Sequence, residues 1–246
     1  MAKTDLFWRF NPGTTNIIWA LKPSGEFNAG LEVRPLDSSY KVQVIDDFND
    51  DGLSDVFWRD SSSGINGIWL LDGAEVIGSR VLPTVDLSWG IAGFADFNND
   101  GSGDLLWRNA NSGENVIWTL ADGQLQQGIV LPSLNTAFMA AAISDFNGDG
   151  NDDILWRNRS TGQNQVWLMN GTTDSGQRLD LTTADPFFSL VAASDFNGDK
   201  VEDLLWRHSV TGDNVLWVMG SQGTLANGVI LPQLDPAFAL RGVYRP

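Results

Sequence analysis

Four nine-residue segments of the chain share one order of oxygen-bearing side chains. They read DFNDDGLSD at 47–55, DFNNDGSGD at 96–104, DFNGDGNDD at 145–153 and DFNGDKVED at 195–203. Each has aspartate at positions 1, 5 and 9 and asparagine at position 3, which crowds carboxylates into a short loop. Such crowding is unfavourable unless a cation neutralises it. Because Ca²⁺ takes six to eight oxygen ligands, the pattern predicts a calcium site in each segment.

The predicted calcium ligands are the side chains at positions 1, 3, 5 and 9 and the main-chain carbonyl at position 7. Mg²⁺ fits this set less well, because it keeps several of its waters. Metal-free solvated turns are the alternative, but four copies at a fixed spacing favour the metal. The ligands are Asp47, Asn49, Asp51, Leu53 and Asp55; Asp96, Asn98, Asp100, Ser102 and Asp104; Asp145, Asn147, Asp149, Asn151 and Asp153; Asp195, Asn197, Asp199, Val201 and Asp203.

Position 6 of each segment requires a sharp turn, which glycine adopts without a steric penalty. Three segments have glycine there, at Gly52, Gly101 and Gly150, whereas the fourth has Lys200. Lysine adds backbone strain and a positive charge beside the ion. We therefore expect up to four calcium ions, with the weakest site at 195–203.

The acidic segments belong to a longer repeat. A Trp-Arg pair occurs five times, at spacings of 50, 49, 49 and 50 residues. A second tryptophan follows eleven residues after the first, and an asparagine lies three residues before that second tryptophan. The chain is thus a five-copy array. Its repeated residues are Trp8, Arg9, Asn16 and Trp19; Trp58, Arg59, Asn66 and Trp69; Trp107, Arg108, Asn115 and Trp118; Trp156, Arg157, Asn164 and Trp167; Trp206, Arg207, Asn214 and Trp217.

Each repeat contains four short apolar runs separated by Gly, Asn, Ser and Thr, which is typical of a four-stranded β-propeller blade. The sequence predicts a single all-β domain, a five-bladed β-propeller of residues 1–246. An open β-solenoid is the alternative, and it gains no ring closure. Residues 237–246 (AFALRGVYRP) align with 137–146, so we expect this C-terminal strand to pair with the N-terminal blade and close the ring. The predicted units are 1–40 with 237–246, 41–89, 90–138, 139–188 and 189–236.

Composition narrows the classes of partner. The net charge of −16 disfavours nucleic acid and anionic membranes, and no apolar run is long enough for membrane insertion. The absence of cysteine excludes disulfides and thiolate metal sites. The N-terminus lacks the apolar core of a signal peptide. Because calcium is abundant outside cells, we expect a secreted or cell-surface protein, whether complete or part of a longer chain.

Repetition also bears on function. Catalysis needs one constellation of distinct groups, whereas the polar residues here recur in every unit, and the single histidine, His208, occupies a turn position. The sequence therefore predicts a non-enzymatic protein. Repeated Trp, Arg and Asn suit multivalent glycan binding, since sugars stack on aromatic rings and hydrogen-bond to planar polar groups. The alternative for the same residues is packing between blades, where strands are covered on both faces.

The pattern DxNxDGxxD, followed by an apolar strand and repeated at about 50 residues, resembles the FG-GAP or VCBS repeat of calcium-binding β-propellers. The integrin α-subunit head and several fungal and bacterial lectins share that repeat. The tryptophan-rich stretch DILWRNRSTGQNQVWLMNG is similar to Psathyrella velutina-type propeller lectins, while five blades are known from tachylectin. The resemblance implies a calcium-stabilised lectin with several equivalent sites. A protein-adhesion platform and a structural module of a larger secreted protein are the alternatives.

Overall fold

The computed structural model describes residues 6–9, 14–22, 26–220 and 223–238. Within these ranges the chain forms nineteen β-strands, and none of the described residues belongs to a helix that could cross a membrane. Blade one contains β1 (Leu6–Arg9), β2 (Asn16–Leu21) and β3 (Phe27–Val33). Blade two contains β4 (Tyr40–Asp46), β5 (Asp55–Asp60), β6 (Asn66–Asp72) and β7 (Glu75–Leu82). Blade three contains β8 (Trp89–Ala95), β9 (Asp104–Asn109), β10 (Asn115–Ala121) and β11 (Gln124–Leu131). Blade four contains β12 (Phe138–Ser144), β13 (Asp153–Asn158), β14 (Asn164–Asn170) and β15 (Thr173–Leu181). Blade five contains β16 (Phe188–Ser194), β17 (Asp203–His208), β18 (Asn214–Met219) and β19 (Leu225–Leu231).

The strands form five antiparallel sheets, each running in chain order from its first strand to its last, as in a five-bladed β-propeller. Four sheets have four strands, and three strands of the first sheet are described. The second strand of a blade is covered on both faces: every residue of β5 and of β13 is buried. This explains the continuous apolar runs VFW and ILW. The fourth strand instead alternates between exposed and partly buried residues, as expected at an outer edge.

Consecutive blades bury apolar side chains between them. Each of the four hydrophobic clusters combines residues of two neighbouring blades. Between blades two and three, for example, Phe57 meets the ring of Trp107 edge-on, with 6.2 Å between the ring centroids. The blades are thus joined by packing between sheets, which fixes the order of the ring.

The first and last blades differ from the others. Trp8 is 48% exposed, whereas its four counterparts are at most 2% exposed. Phe196 of blade five is 36% exposed, although the same loop position is at most 1% exposed in Phe48, Phe97 and Phe146. The face of blade one that carries Trp8, and the face of blade five that carries Phe196, are therefore less covered than the faces between other blades. Most of the predicted closing strand, residues 239–246, lies outside the described residues.

The four-stranded blades begin one residue before the units drawn from the sequence. Tyr40, Trp89, Phe138 and Phe188 each start the first strand, because each pairs with the last residue of the second strand. These aromatic residues therefore belong to the blade that follows them.

Candidate calcium loops and interblade clefts

The four acidic segments form the loops between the first and second strands of blades two to five. All four loops have the same backbone shape, with positive φ at positions 4 and 6. Position 4 is Asp50, Asn99, Gly148 or Gly198, and position 6 is Gly52, Gly101, Gly150 or Lys200, with φ between 57° and 92°. Only glycine adopts this region freely, and aspartate and asparagine tolerate it better than other side chains.

The aspartate at position 1 organises each loop. In the third loop, Asp145 Oδ1 accepts the amide hydrogen bonds of Gly148 and Asp149, at 2.7 and 3.1 Å, and its Oδ2 accepts that of Gly150, at 2.8 Å. At position 3, Asn147 Nδ2 donates to Asp149 Oδ2 at 2.9 Å. The loop is thus wound around its own carboxylates, which brings the predicted ligand residues onto one short turn.

The aspartate at position 9 ties the loop to the blade. Asp153 is fully buried, and its two oxygens accept the amides of Met169 and Phe146, at 2.8 and 3.1 Å. Burial, together with the nearby carboxylates of Asp149 and Asp145, raises its pKa to about 6, although those two hydrogen bonds act in the opposite direction. Burial likewise raises the pKa of Asp55 to about 6 and that of Asp104 to about 7. The ionised form of each of these three carboxyl groups is thus disfavoured unless a cation lies beside it.

Asp104 provides a test of whether a cation fits. Its side chain is fully buried. Oδ1 accepts the Leu120 amide at 2.9 Å, whereas Oδ2 has no hydrogen bond of ordinary geometry, and the nearby Asn98 amide lowers the pKa of the carboxyl group less than burial raises it. In the other three loops the equivalent oxygen accepts an amide from the Phe at position 2, at 3.1 Å. A buried carboxylate oxygen without a donor is costly, and a divalent cation would satisfy it. The residues of this loop therefore fit a calcium ion.

The carboxylates alone do not form a ready-made metal cluster. Across the described ranges, no three His, Asp or Glu side chains are arranged to hold a metal ion by themselves. The predicted set also needs the asparagine oxygen and a main-chain carbonyl, which are usual oxygen ligands of calcium. A calcium ion in these loops would therefore depend on the asparagine and main-chain oxygens as well as on the carboxylates.

Loops of adjacent blades touch. The amide of Gly103 donates to the carbonyl of Asp47 at 2.9 Å, which links the loops of blades three and two. Burial raises the pKa of Asp46 and of Asp152, and Asp96 lies close enough to both to raise each further. The negative charge of the loops is therefore shared between blades, so that an ion bound in one loop also relieves its neighbours.

The Lys200→Gly substitution is expected to stabilise the protein by about 1 kcal/mol, because Lys200 has a φ of 70° that glycine adopts without strain. It should also tighten calcium binding at 195–203, since it removes a positive charge from the loop. Urea unfolding and calcium titration of the variant measure the two effects. The matched control is Lys41→Gly, which removes a lysine from a strand with ordinary backbone angles. A gain in calcium affinity in both variants would show that the effect does not come from the residue at position 200 of the loop.

The repeated Arg and Asn side chains form hydrogen bonds with other groups of the protein. Arg59 Nη1 donates to Asn66 Oδ1 and to the carbonyl of Gly64, at 2.9 and 3.1 Å. Its Nη2 donates to the carbonyls of Val85 and Asp86, in the loop that leads to the next blade, and to that of Trp89 at the start of β8. Asn66 Nδ2 donates to the carbonyl of Pro83 at 2.7 Å. The same Arg–Asn hydrogen bond occurs at Arg9, Arg108, Arg157 and Arg207.

Four of these five arginines also reach a tryptophan of the following blade. The guanidinium of Arg59 lies 5.1 Å from the ring centroid of Trp107. Equivalent stacks join Arg9 to Trp58, Arg108 to Trp156 and Arg157 to Trp206, at 4.8 to 5.2 Å. Trp58, Trp107, Trp156 and Trp206 are buried, and their Nε1 atoms have no hydrogen-bond partner. A ring enclosed in this way cannot stack on a sugar, so the structure places these residues in interblade packing.

The second tryptophans lie near the outside of the blades and face the preceding blade. Trp118 packs against the cluster between blades two and three, and Trp167 against the one between blades three and four. Trp69, Trp167 and Trp217 are buried, while Trp118 is partly exposed and Trp19 is 41% exposed. Of the tryptophans predicted to bind ligand in blades two to five, Trp118 is thus the one that is not buried.

A cleft of about 510 Å³ opens between blades two and three on the same side as Trp118. Its walls are Ser79, Arg80, Val81, Leu82 and Pro83 of blade two and Gln124 and Leu125 of blade three. Arg80 crosses the cleft, since its Nη2 lies 2.8 Å from the Asp122 carboxylate. Hydroxyl, amide and guanidinium groups are thus placed beside aliphatic side chains.

The residue across the sheet from Trp118 is Gly128. Its φ lies outside the left-handed region, and an added Cβ would be 3.6 Å from Trp118 Cδ1, an ordinary contact. The backbone therefore does not require glycine here, although glycine weakens a strand. Because glycine has no side chain, residue 128 does not cover the indole of Trp118.

Known proteins share part of this sequence and its fold. The family description "FG-GAP-like repeat" matches residues 96–156 and 145–206, which contain the second and third acidic loops and extend over the fourth. The stretch 96–206 therefore resembles FG-GAP-like repeats. No curated protein sequence matches the chain.

Several solved structures share the fold of this chain at low sequence identity. A lectin of Agrocybe aegerita, described as recognising non-reducing terminal N-acetylglucosamine, is 12% identical with a TM-score of 0.70, over 97% of this chain and 68% of the lectin. Virginiamycin B lyase of Staphylococcus aureus is 13% identical with a TM-score of 0.54, over 94% and 67%. Periplasmic gluconolactonase of Pseudomonas aeruginosa is 14% identical with a TM-score of 0.55, over 94% and 66%. Both a lectin and enzymes have this architecture, so the fold alone does not decide between binding and catalysis.

Two features of the repeats were not predicted from the sequence. The glycine opposite the second tryptophan and the arginine that replaces it in blade four, Arg178, lie in the weakly patterned outer strand. A signal was present, because Gly30, Gly128 and Gly228 recur at one position of the outer run. A strand glycine that recurs beside an aromatic residue indicates that something approaches closely.

Proposed function

We propose that this protein is a non-enzymatic, calcium-stabilised propeller that binds glycans in clefts between its blades. The observation that carries the proposal is the partly exposed ring of Trp118, opposite Gly128, on the face of blade three that packs towards blade two. A cleft between the same two blades presents Arg80, Ser79 and Gln124. An apolar ring beside a few fixed polar groups suits a sugar, whose C–H face stacks on the ring while its hydroxyls take up the hydrogen bonds.

The role of calcium in this proposal is structural. The loops lie at the start of the second strand and touch the neighbouring blade, so a bound ion would fix one blade against the next. The ligands would be those predicted at positions 1, 3, 5, 7 and 9 of the four loops. Calcium at extracellular concentration and a secreted or cell-surface location belong to the same proposal.

Two further observations support binding rather than catalysis. The solved propeller with the TM-score of 0.70 is a lectin that recognises terminal N-acetylglucosamine. The imidazole of His208 accepts the amides of Val210 and Thr211 at Nδ1, at 3.2 and 3.0 Å. Asn158 accepts the equivalent amides with its side-chain oxygen. His208 therefore does the same work as a turn asparagine.

The test is a titration of the calcium-loaded protein with N-acetylglucosamine, together with a glycan array. We expect saturable binding, and we expect Trp118→Ala to weaken the blade-three site by at least about tenfold, as removal of an aromatic stacking contact does. The matched control is Phe187→Ala, which removes an exposed aromatic residue at a turn outside the clefts. Failure of every glycan to bind the calcium-loaded protein would overturn the proposal.

A protein-binding platform is the second candidate, and one observation favours it. Val81, Val130 and Ile230 occupy equivalent positions on the outer strands and are 76 to 86% exposed. Recurrent exposed aliphatic side chains on one wall are typical of a contact surface. Replacing Val130 and Ile230, which do not line the cleft between blades two and three, with threonine should leave glycan binding there intact, and should weaken capture of a protein partner if this second candidate is correct.

A further inference from the structure

The five blades are not equivalent at the position opposite the second tryptophan. This position pairs with Trp19, Trp69, Trp118, Trp167 and Trp217 in turn. Four of the five residues found there are small, namely Gly30, Ser79, Gly128 and Gly228, and the exception is Arg178 in blade four.

Arg178 stacks on the ring of Trp167, a contact that the small residues of the other blades cannot make. Opposite those small residues, Trp19 and Trp118 stay open to solvent, whereas Trp69 and Trp217 are buried by other contacts. Its guanidinium carbon lies 4.1 Å from the ring centroid of Trp167, closer than in any of the four stacks between blades. The Asp174 carboxylate holds the guanidinium by two hydrogen bonds of 2.6 Å each. A planar cation fixed on one side by a carboxylate and on the other by an indole has little freedom to leave.

Other side chains around Trp167 in blade four also hydrogen-bond to one another. Gln165 accepts the Trp167 Nε1 hydrogen at 3.0 Å and donates to Asp180 at 2.9 Å. The corresponding residues of blade three are Val116 and Val130, which offer no hydrogen bonds. Trp167 is accordingly 2% exposed, whereas Trp118 is partly exposed.

From this contrast we propose that Arg178 is a specificity-determining residue that closes the blade-four cleft to sugars, so that the blades bind glycans unequally. The inference rests on the proposed glycan binding and deepens it. Asp174 already neutralises Arg178, so an anionic sugar gains no free cation there. The ligand class is thus a pyranose that presents a C–H face to an uncovered indole, and blade three takes it while blade four does not.

The experiment uses the full chain labelled with 5-fluorotryptophan, loaded with calcium and titrated with N-acetylglucosamine by ¹⁹F NMR. Single Trp→Phe variants assign the Trp118 and Trp167 resonances. In the unmodified chain, the Trp118 resonance should shift with sugar and that of Trp167 should not. Arg178→Gly should make the Trp167 resonance respond as well. Gly128→Arg should weaken the Trp118 response by about tenfold or more, since the backbone at residue 128 accepts a side chain.

A second variant guards against loss of folding. Arg178→Gly leaves Asp174 without its partner, so the double variant Arg178→Gly with Asp174→Leu reproduces the blade-three residues Gly128 and Leu125. A soluble paramagnetic probe gives a readout without sugar, because the Trp167 resonance should broaden more in either variant than in the unmodified chain.

The outcomes separate the two proposals. If the Trp118 resonance responds to sugar but that of Trp167 stays silent in a folded double variant, the inference on Arg178 is wrong and glycan binding stands. An equal response of both resonances in the unmodified chain also overturns it. If no tryptophan resonance responds in any variant, glycan binding in these clefts fails, and the inference fails with it.

Discussion

Removal of calcium by a chelator should lower the melting temperature of this propeller by more than about 10 °C. An ion held at a hundred times its Kd contributes about 2.7 kcal/mol to the free energy of unfolding, and each kcal/mol changes the melting temperature of a domain of this size by about 2 to 4 °C. Four loops are available, and in the metal-free state their carboxylates repel one another across neighbouring blades. Differential scanning calorimetry with and without EDTA measures the change.

Single-site variants show whether the effect comes from the loops. Asp149→Asn should remove one calcium equivalent in a direct titration and reduce the effect of the chelator in proportion. The control is Asp72→Asn, which removes a carboxylate from an exposed hairpin and should leave both quantities unchanged. An identical melting temperature in calcium and in EDTA would show that the acidic loops are solvated turns.

The fold could be predicted from the sequence because repetition amplifies a weak signal. A single run such as DILW is compatible with several structures, but five copies at spacings of 49 and 50 residues leave few architectures. The strands form where apolar runs meet turn residues, and the acidic loops join the first two strands of blades two to five. The positive φ of Lys200 also agrees with the expectation that this position requires a sharp turn.

The roles of the repeated Trp, Arg and Asn residues could not be predicted in the same way. Alternation in a strand does not distinguish faces when both are buried, as in β5 and β13. The partners of Arg59 are carbonyls 26 to 30 residues away, and no local pattern marks them. Only the packed ring shows that the Trp-Arg pair joins blades, and that Trp118, opposite Gly128, stays partly exposed while Trp167, opposite Arg178, is buried.

The largest effect of a single substitution is expected for Trp156→Ala, at about 3 to 5 kcal/mol of lost stability, because the indole is fully buried. The substitution removes the stack on Arg108 and the contact with Trp167, whose ring centroid lies 5.2 Å away. It also leaves a cavity between blades three and four. Urea unfolding at fixed calcium concentration measures the change in the free energy of unfolding.

The matched comparison is Trp8→Ala, at the same position of blade one. Trp8 is 48% exposed, so its removal should cost less than half as much stability as that of Trp156. Equal losses would instead mean that blade five covers Trp8 in solution, since only burial makes a large cavity costly. If Trp156→Ala instead costs little stability but weakens glycan binding, Trp156 is not a core residue. The first tryptophans would then be the residues on which sugars stack. The pair of variants therefore measures how tightly the seam between blades five and one is packed, by reference to a seam that the structure shows to be closed.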